Sequence, residues 1–587
     1  MGKQINEQKT QSFMGNVAIV LFAQLMVKIL GMVYRMVITN ISGFGDSGNG
    51  FYTAGFQVYT VLLAVSSIGI PNAIAKMVSE RVALNDYRGA HRVFHSALIL
   101  FSVIGAVFSG LLFFGADVIA QSIVNMDGVQ YVMRALSPSI FFVCVSSVIR
   151  GYFQGLNDMR ATSLSQMLEQ VFKCGLTIVL VLLSAGTMPV LMQFATKTSM
   201  LYSGSLAKNT PPEIMAAWAN AASSIATLIS FIYLIIFYYR QKSQLSQKLR
   251  QSVVSAENPS TASLMKAILM LSVPISLASI ITAINRVIDT ATITRGIEIA
   301  FANGIPAHGN VGAILHPTLK DLNEYAVLLA GRLSKSDTLI NMPLALNVAF
   351  ATVLVPSVSG ALARGEKKEA GGKISYSFLI STLLILPCVA GFIVLAEPIY
   401  KVIYPNAYLG SDLLALMAIS LIFSALSQTM SGALQGLGKV YVPAIGLVIG
   451  CIIKVILNVL LIRQTAINIY GAAISSIICQ FVAFLISFIV LQKYLTLNIT
   501  IKKYVIKPAI ACVVMGAVAL GVYKVLDTLL PAGYIANAVA TISGIGIGAI
   551  VYLIMIAILK VLSENEILEL PLGQKILNIL KKMKIYK

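Results

Sequence analysis

The amino-acid sequence predicts an all-α polytopic membrane protein of about 14 transmembrane helices: two six-helix lobes related by pseudo-two-fold symmetry, followed by two C-terminal helices. Three observations carry this prediction. The chain is 57% hydrophobic and only 11% charged, where soluble domains carry roughly 25% charged residues. Apolar runs long enough to cross a hydrocarbon core recur along its whole length. A short glycine-containing segment of the first half returns in the second half with its surroundings.

A bilayer core needs about 20 apolar residues per helix, and runs of that length bounded by charge, Gly or Pro define the spans. After a cytoplasmic segment 1–12, the N-lobe, 13–239, holds Phe13–Thr39, Phe51–Val78, Val93–Phe114, Tyr131–Tyr152, Leu164–Leu183 and Met215–Tyr239. A basic cytoplasmic linker, 240–263, leads to the C-lobe, 264–491, with Leu264–Ile288, Leu339–Val358, Ile374–Leu395, Leu413–Met430, Val442–Ile462 and Ala472–Leu491. Val505–Val525 and Tyr534–Val561 make up the last pair, 492–561. The tail 562–587 alternates Ile and Leu with Lys575, Lys581, Lys582 and Lys584, the pattern of a basic amphipathic helix on an anionic leaflet. Two polar segments, Ser184–Glu213 and Asp289–Asp337, read as external; the second, with helix-like stretches such as Leu322–Leu333, is a candidate external cap.

The net charge of +20 does not point to nucleic acid. Its Lys and Arg residues, among them Arg81, Arg88, Arg92, Arg240, Lys242, Lys367 and Lys503, collect in the loops of one side and place both termini in the cytoplasm. A cleavable signal peptide is not expected, because the first apolar run is long and contains Lys28 and Arg35. The six cysteines all lie in apolar runs without metal or disulfide spacing, and His91, His95, His308 and His316 make no recognised metal-ligand pattern. No catalytic motif occurs; Gly432 to Gly438-Lys439 resembles a phosphate loop, but Val440 stands where a magnesium-binding Ser or Thr belongs.

The repeat joins Gly151-Tyr-Phe-Gln154-Gly155-Leu156 to Gly432-Ala-Leu-Gln435-Gly436-Leu437, and in the same register Lys173 falls opposite Lys454. A second echo links Ile70-Pro71 with Val355-Pro356. Six spans per half keep both halves in one orientation, so the halves are related by an axis along the membrane normal, with substrate expected between them.

Ionisable groups at membrane depth cost roughly 2.5 to 3.5 kcal/mol each on insertion scales and mark functional sites. Gln24, Lys28 and Arg35 share one face of the first span, Glu169 and Lys173 one face of the fifth, Asn285, Arg286 and Asp289 the seventh, and Lys454 and Asn458 the eleventh. Snorkelling competes with a site most at Arg35 and Arg286, near the outer ends of their spans. A cavity with many cations and few carboxylates suits an anion, and a diphosphate can engage several separated cations at once.

The stretches Lys28 to Asn49-Gly50-Phe51-Tyr52, Ile70 to Arg81, Ser137-Pro138 through Arg150-Gly151-Tyr152-Phe153-Gln154-Gly155, and Asn341-Met342-Pro343 through Val355-Pro356 together resemble the MOP (MATE-like) superfamily of exporters. The resemblance is to its polysaccharide-exporter and lipid II flippase branch, which includes the stage V sporulation protein B type. It implies two lobes around a cationic cavity for a diphosphate-sugar head, with a groove for a polyprenyl tail beside the last two helices. Where peptidoglycan-precursor flippases tend to close the first span with Arg-Asp, this chain reads Tyr34-Arg35-Met36, and it has Asp337-Thr338 where they usually bring Asp-Arg.

The resulting expectation is a non-enzymatic flippase that moves a polyprenyl-diphosphate-linked saccharide across a bacterial cytoplasmic membrane by alternating access. Lys28, Arg35, Lys173, Arg286, Lys454, Gln24 and Asn49 are its expected substrate-binding residues. No cofactor or metal is expected; the membrane potential, or sodium or a proton at Asp289 or Glu169, would supply the drive. Membrane lipids and cell-wall synthesis proteins are the expected partners, and nucleic acid is not. The rival readings are a MATE-type cation antiporter, which needs twelve spans and an acidic cavity, and a non-transporting scaffold for envelope assembly.

Overall fold

The computed structural model describes residues 26–27, 29–156, 158–185, 210–250, 252, 259–306, 313–497, 499–568 and 573–582. Gln24, Lys28, the segment 1–12 and the interior of Ser184–Glu213 lie outside the described residues. The described residues are predominantly helical, and an isolated antiparallel bridge between Ile305 and Ile314 is the one β feature among them. The chain forms two compact units, Met1–Ser334 and Lys335–Lys587.

The first unit contains α1 (Ile29–Thr39), α2 (Gly45–Leu63), a π-helical turn (Ala64–Ile68), α3 (Ile70–Ala83), α4 (Tyr87–Phe114), the short α5 (Ala116–Ile119), α6 (Val129–Gly155), α7 (Arg160–Ser184), α8 (Pro212–Arg250), α9 (Thr261–Ala300) and the start of α10 (Leu319–Ala363). Local chemistry sets these limits. Asp86 caps α4 by accepting the Gly89 N–H at 2.7 Å, and Ser260 caps α9 by accepting from Ser263. Pro71 sits in the first turn of α3, where a missing N–H costs nothing.

The second unit holds the rest of α10, α11 (Lys367–Val394), α12 (Ala396–Ile403), α13 (Ser411–Gly436), α14 (Tyr441–Leu461), α15 (Tyr470–Tyr494), α16 (Lys507–Leu529), α17 (Tyr534–Ile558), α18 (Glu564–Leu568) and α19 (Gly573–Lys582). In the tail, Leu577 of α19 packs on Ile567, and Glu566 takes Lys503 at 2.7 Å and the Ser563 N–H at 2.8 Å. Burial alone would raise the Glu566 carboxyl, but Lys503 and the Ser563 donors hold it below the usual carboxylate value. That attachment is therefore complete above the ordinary Glu range and lost as pH falls through the depressed value.

Among the described residues, 11 helices are long and apolar enough to cross a membrane. They correspond to the predicted second to sixth and ninth to fourteenth spans. The first, seventh and eighth fall on α1, α9 and α10; α1 adjoins the undescribed Lys28, and the apolar stretch of α9 counted at its start is the shorter Thr261–Val273. The segment predicted to be external is largely helical: α9 runs on to Ala300, and Leu322–Leu333 belongs to α10, a single helix of 45 residues. Hydropathy marks where a helix leaves lipid, not where it ends, and here polar partners carry the helix past that limit. The boundary between the two compact units lies inside α10, and α9 packs in the first unit. There the Gly69 N–H donates to Ser276 Oγ at 3.0 Å, and a Cβ on Gly69 would stand 2.4 Å from the Ser272 carbonyl.

The repeated glycines are packing devices. A Cβ on Gly151 would stand 2.8 Å from the Pro71 carbonyl oxygen, and one on Gly155 2.6 Å from Val78 Cβ, so α6 lies directly on α3. In the second unit a Cβ on Gly432 would meet the Ala351 carbonyl oxygen at 2.5 Å, and one on Gly436 would meet Val358 at 2.9 Å, so α13 lies on α10 in the same way. These contacts make Ala351 the counterpart of Pro71 and Val355 that of Ala75. The Pro71–Pro356 echo is thus displaced along the helix, while the glycine register holds. Gly432→Ala is expected to destabilise by about 1–3 kcal/mol, since backbone cannot yield as a side chain can. Gly521→Ala, with nothing within 4 Å, should not; the thermal unfolding midpoints of the two variants check this.

Candidate functional site

Three helices of the first unit bring aromatic rings and cations together. α1 supplies Tyr34 and Arg35, α2 supplies Tyr52, Thr53 and Phe56, and α7 supplies Lys173. Tyr52 and Phe56 are one turn apart and stack with centroids 6.0 Å apart. The buried hydroxyls of Tyr34 and Tyr52 are 2.8 Å apart and tie α1 to α2. Upon this pair rest both cations. The Arg35 guanidinium lies 4.4 Å from the centroid of Tyr52, while Lys173 Nζ lies 4.8 Å from that of Phe56 and 5.7 Å from that of Tyr34. Arg35 also donates to Thr53 Oγ1 at 2.9 Å and to Ser334 Oγ at 2.8 Å.

Charge accounting around the cluster is asymmetric. Glu169, one turn before Lys173, is held by Arg150 at 2.9 Å, and the same arginine donates to Ser165 and Ser230, each at 2.9 Å. Asp46 on α2 is held by Arg332 at 3.3 Å, with both side chains about nine-tenths buried. Thus each of these carboxylates is matched by an arginine. Arg35 and Lys173 have hydroxyl and ring partners instead, and among the described residues no carboxylate forms an ion pair with either. Both side chains are half-buried, accessible to a ligand yet shielded from bulk water. Two such cations can take an anion with charge-assisted hydrogen bonds, Arg through its planar fork and Lys as a point charge.

The other predicted residues are placed separately. Asn49 is buried and donates to the Gly331 carbonyl at 3.2 Å, an anchor for the start of α10. Arg286 is exposed on α9 and Asp289 half-buried; the next residue, Thr290, donates to Gln57. Lys454 belongs to the second unit, where it is 2% exposed on α14 with Asn458 one turn away. Its repeat mate Lys173 is half-buried among rings, so equal position in the repeat does not give equal surroundings.

Sequence reasoning passed over Tyr34, Tyr52, Arg332, Lys335 and the role of Arg150. Lys335 is fully buried in the second unit, donating to the carbonyls of Ala407 and Leu409 above the rings of Tyr400 and Tyr404. The signal was present for Arg332, inside the helix-like stretch Leu322–Leu333, and for Lys335, just beyond it, but their partners are remote in sequence.

Residues 13–360 match the family described as polysaccharide biosynthesis protein, and residues 330–540 match the family described as lipid II flippase MurJ. Stage V sporulation protein B of Bacillus subtilis (strain 168) is 22% identical over 565 residues, which cover 96% of this chain and 98% of that protein. Among solved structures, lipid II flippase MurJ in an inward closed conformation has a TM-score of 0.62 at 14% identity, covering 92% of this chain and 97% of that one. An inward-facing multidrug resistance MATE family transporter of the MOP superfamily has a TM-score of 0.60 at 16% identity, covering 81% and 97%. At these identities the solved structures show the shared fold, and a flippase and a drug transporter share it alike.

Proposed function

This chain belongs to the polysaccharide biosynthesis protein family, and from that membership we propose that it is a flippase for a polyprenyl-diphosphate-linked saccharide, moving the head from the inner to the outer leaflet of a bacterial cytoplasmic membrane by alternating access. The observation that supports this reading best is the placing of Arg35 and Lys173 at membrane depth without a carboxylate partner while the nearby Glu169 and Asp46 are each neutralised. A site for organic cations would reverse that accounting and leave carboxylates unmatched.

In the proposed cycle the diphosphate enters from the cytoplasmic side and replaces the weak hydroxyl partners of Arg35 with its own oxygens, while Lys173 turns from the Phe56 ring to the same anion. Arg286, on α9 of the same unit, contributes further positive potential. The polyprenyl tail stays in lipid. An inside-negative potential favours outward movement of the anion by about 2.3 kcal/mol per charge per 100 mV. Because Arg150 engages Glu169, this reading gives coupling to the potential, or to a counter-ion at Asp289.

The test is transport by the purified chain in liposomes loaded with a fluorescent polyprenyl-diphosphate saccharide. Movement that accelerates with an imposed potential supports the proposal. Exchange of an organic cation with no movement of the diphosphate lipid would establish the antiporter reading instead.

A further inference from the structure

His91 and His95 on α4 take no part in transport as proposed. They are one helical turn apart, so their rings leave α4 on the same face. Their Nε2 atoms stand 3.1 Å apart, with ring centroids at 4.5 Å and planes at 83°. His95 is exposed and His91 half-buried, and His91 Nδ1 lies 3.5 Å from the Tyr152 hydroxyl. Phe94, Tyr152 and Tyr238 close the inner side of the pair.

We infer that His91 and His95 form a binding site for a divalent transition-metal ion of the zinc or copper class, held through the two Nε2 atoms. The spacing fits the chemistry. With metal–nitrogen bonds of about 2.0–2.1 Å, a nitrogen separation of 3.1 Å subtends about 98° at the metal, between the square-planar and tetrahedral angles. Neutral imidazole is a preferred ligand for these ions, and binding needs both rings to carry their proton on Nδ1. For His91 that proton faces the Tyr152 hydroxyl, the kind of outer partner that fixes the tautomer and orientation of metal-ligating histidines.

No group of three or more His, Cys, Asp or Glu stands together among the described residues, so solvent completes the coordination shell and the ion exchanges freely. Arg88 is drawn away from the pair by the Leu249 carbonyl, which its Nε meets at 3.2 Å. The sequence alone offers only two histidines and no third ligand, so the segment carries no recognised metal pattern; the distance between the nitrogens is what the fold adds. Tyr152 lies between the packing glycines Gly151 and Gly155, so an ion here braces α4 against α6 within the first unit. The second copy of the repeat has Ala433 in place of Tyr152, which makes the device specific to the first.

The test uses the full chain, free of any affinity tag, stripped with chelator in lipid nanodiscs and given one equivalent of Cu2+. Electron paramagnetic resonance should show two coordinated imidazole nitrogens, and added Zn2+ should displace the signal. His95→Gln should reduce the signature to one nitrogen, Tyr152→Phe should weaken binding by about tenfold or more, and His316→Gln should change nothing. Fewer than two imidazoles in the parent chain at one equivalent, or a two-imidazole signal that persists in the His91→Gln/His95→Gln double variant, would overturn the assignment.

Discussion

Replacing Arg35 and Lys173 together by glutamine is expected to slow movement of a lipid-linked diphosphate by roughly 100-fold or more, on about 1.5–3 kcal/mol for each charge-assisted hydrogen bond lost. The fold should persist. Both side chains are half-buried, and their present partners are hydroxyls and rings that glutamine leaves satisfied or indifferent. Arg35→Lys keeps the charge and loses the fork, so its effect should be smaller, about tenfold, if the anion is held through two oxygens. Initial rates in liposomes, set against thermal unfolding of the same samples, separate loss of the site from loss of the protein. A scaffold whose buried charges are only structural would show unchanged rates.

Arg150→Met is expected to destabilise the first unit by about 3–5 kcal/mol, because it strands Glu169 in a largely buried position without its cation. Ser165 and Ser230 lose a donor at the same time. Removing both charges in Arg150→Met/Glu169→Leu should recover most of the lost stability, since a buried ion pair and an apolar pair of similar volume are often equivalent. Transport by the double variant then separates two roles for Glu169. Restored transport marks the carboxylate as structural, and a stable but inactive protein marks it as the coupling group. Unfolding midpoints and transport rates of the four variants decide between them.

The sequence shows its architecture because lipid imposes a simple rule: apolar runs must be helical, since no water satisfies their backbone. That is why the second to sixth and ninth to fourteenth spans were readable from hydropathy. The glycines at 151, 155, 432 and 436 were readable as a repeat, but their purpose was not, since it depends on Pro71 and Ala351 standing within contact distance. Pairing was the least legible feature. Arg35 and Lys173 stood out as costly charges at membrane depth, whereas Arg332 lay in a segment read as external and Asp46 fell between the first two spans without a reading. Only the fold shows that the latter two neutralise each other. What distinguishes the candidate site is which charges remain after such pairing, and a single chain read linearly does not contain that subtraction.

The central claim, that the cationic cluster of the first unit carries a diphosphate lipid outward, is tested most directly by labelling lipid-linked saccharide on the outer leaflet of the native cell after depletion of this protein. Redundant flippases must be absent, and the parent chain or the Arg35→Gln/Lys173→Gln variant is then resupplied. The account predicts that exposure falls on depletion, returns with the parent chain and does not return with the variant. Exposure that is unchanged on depletion, or restored equally by the variant, would contradict it.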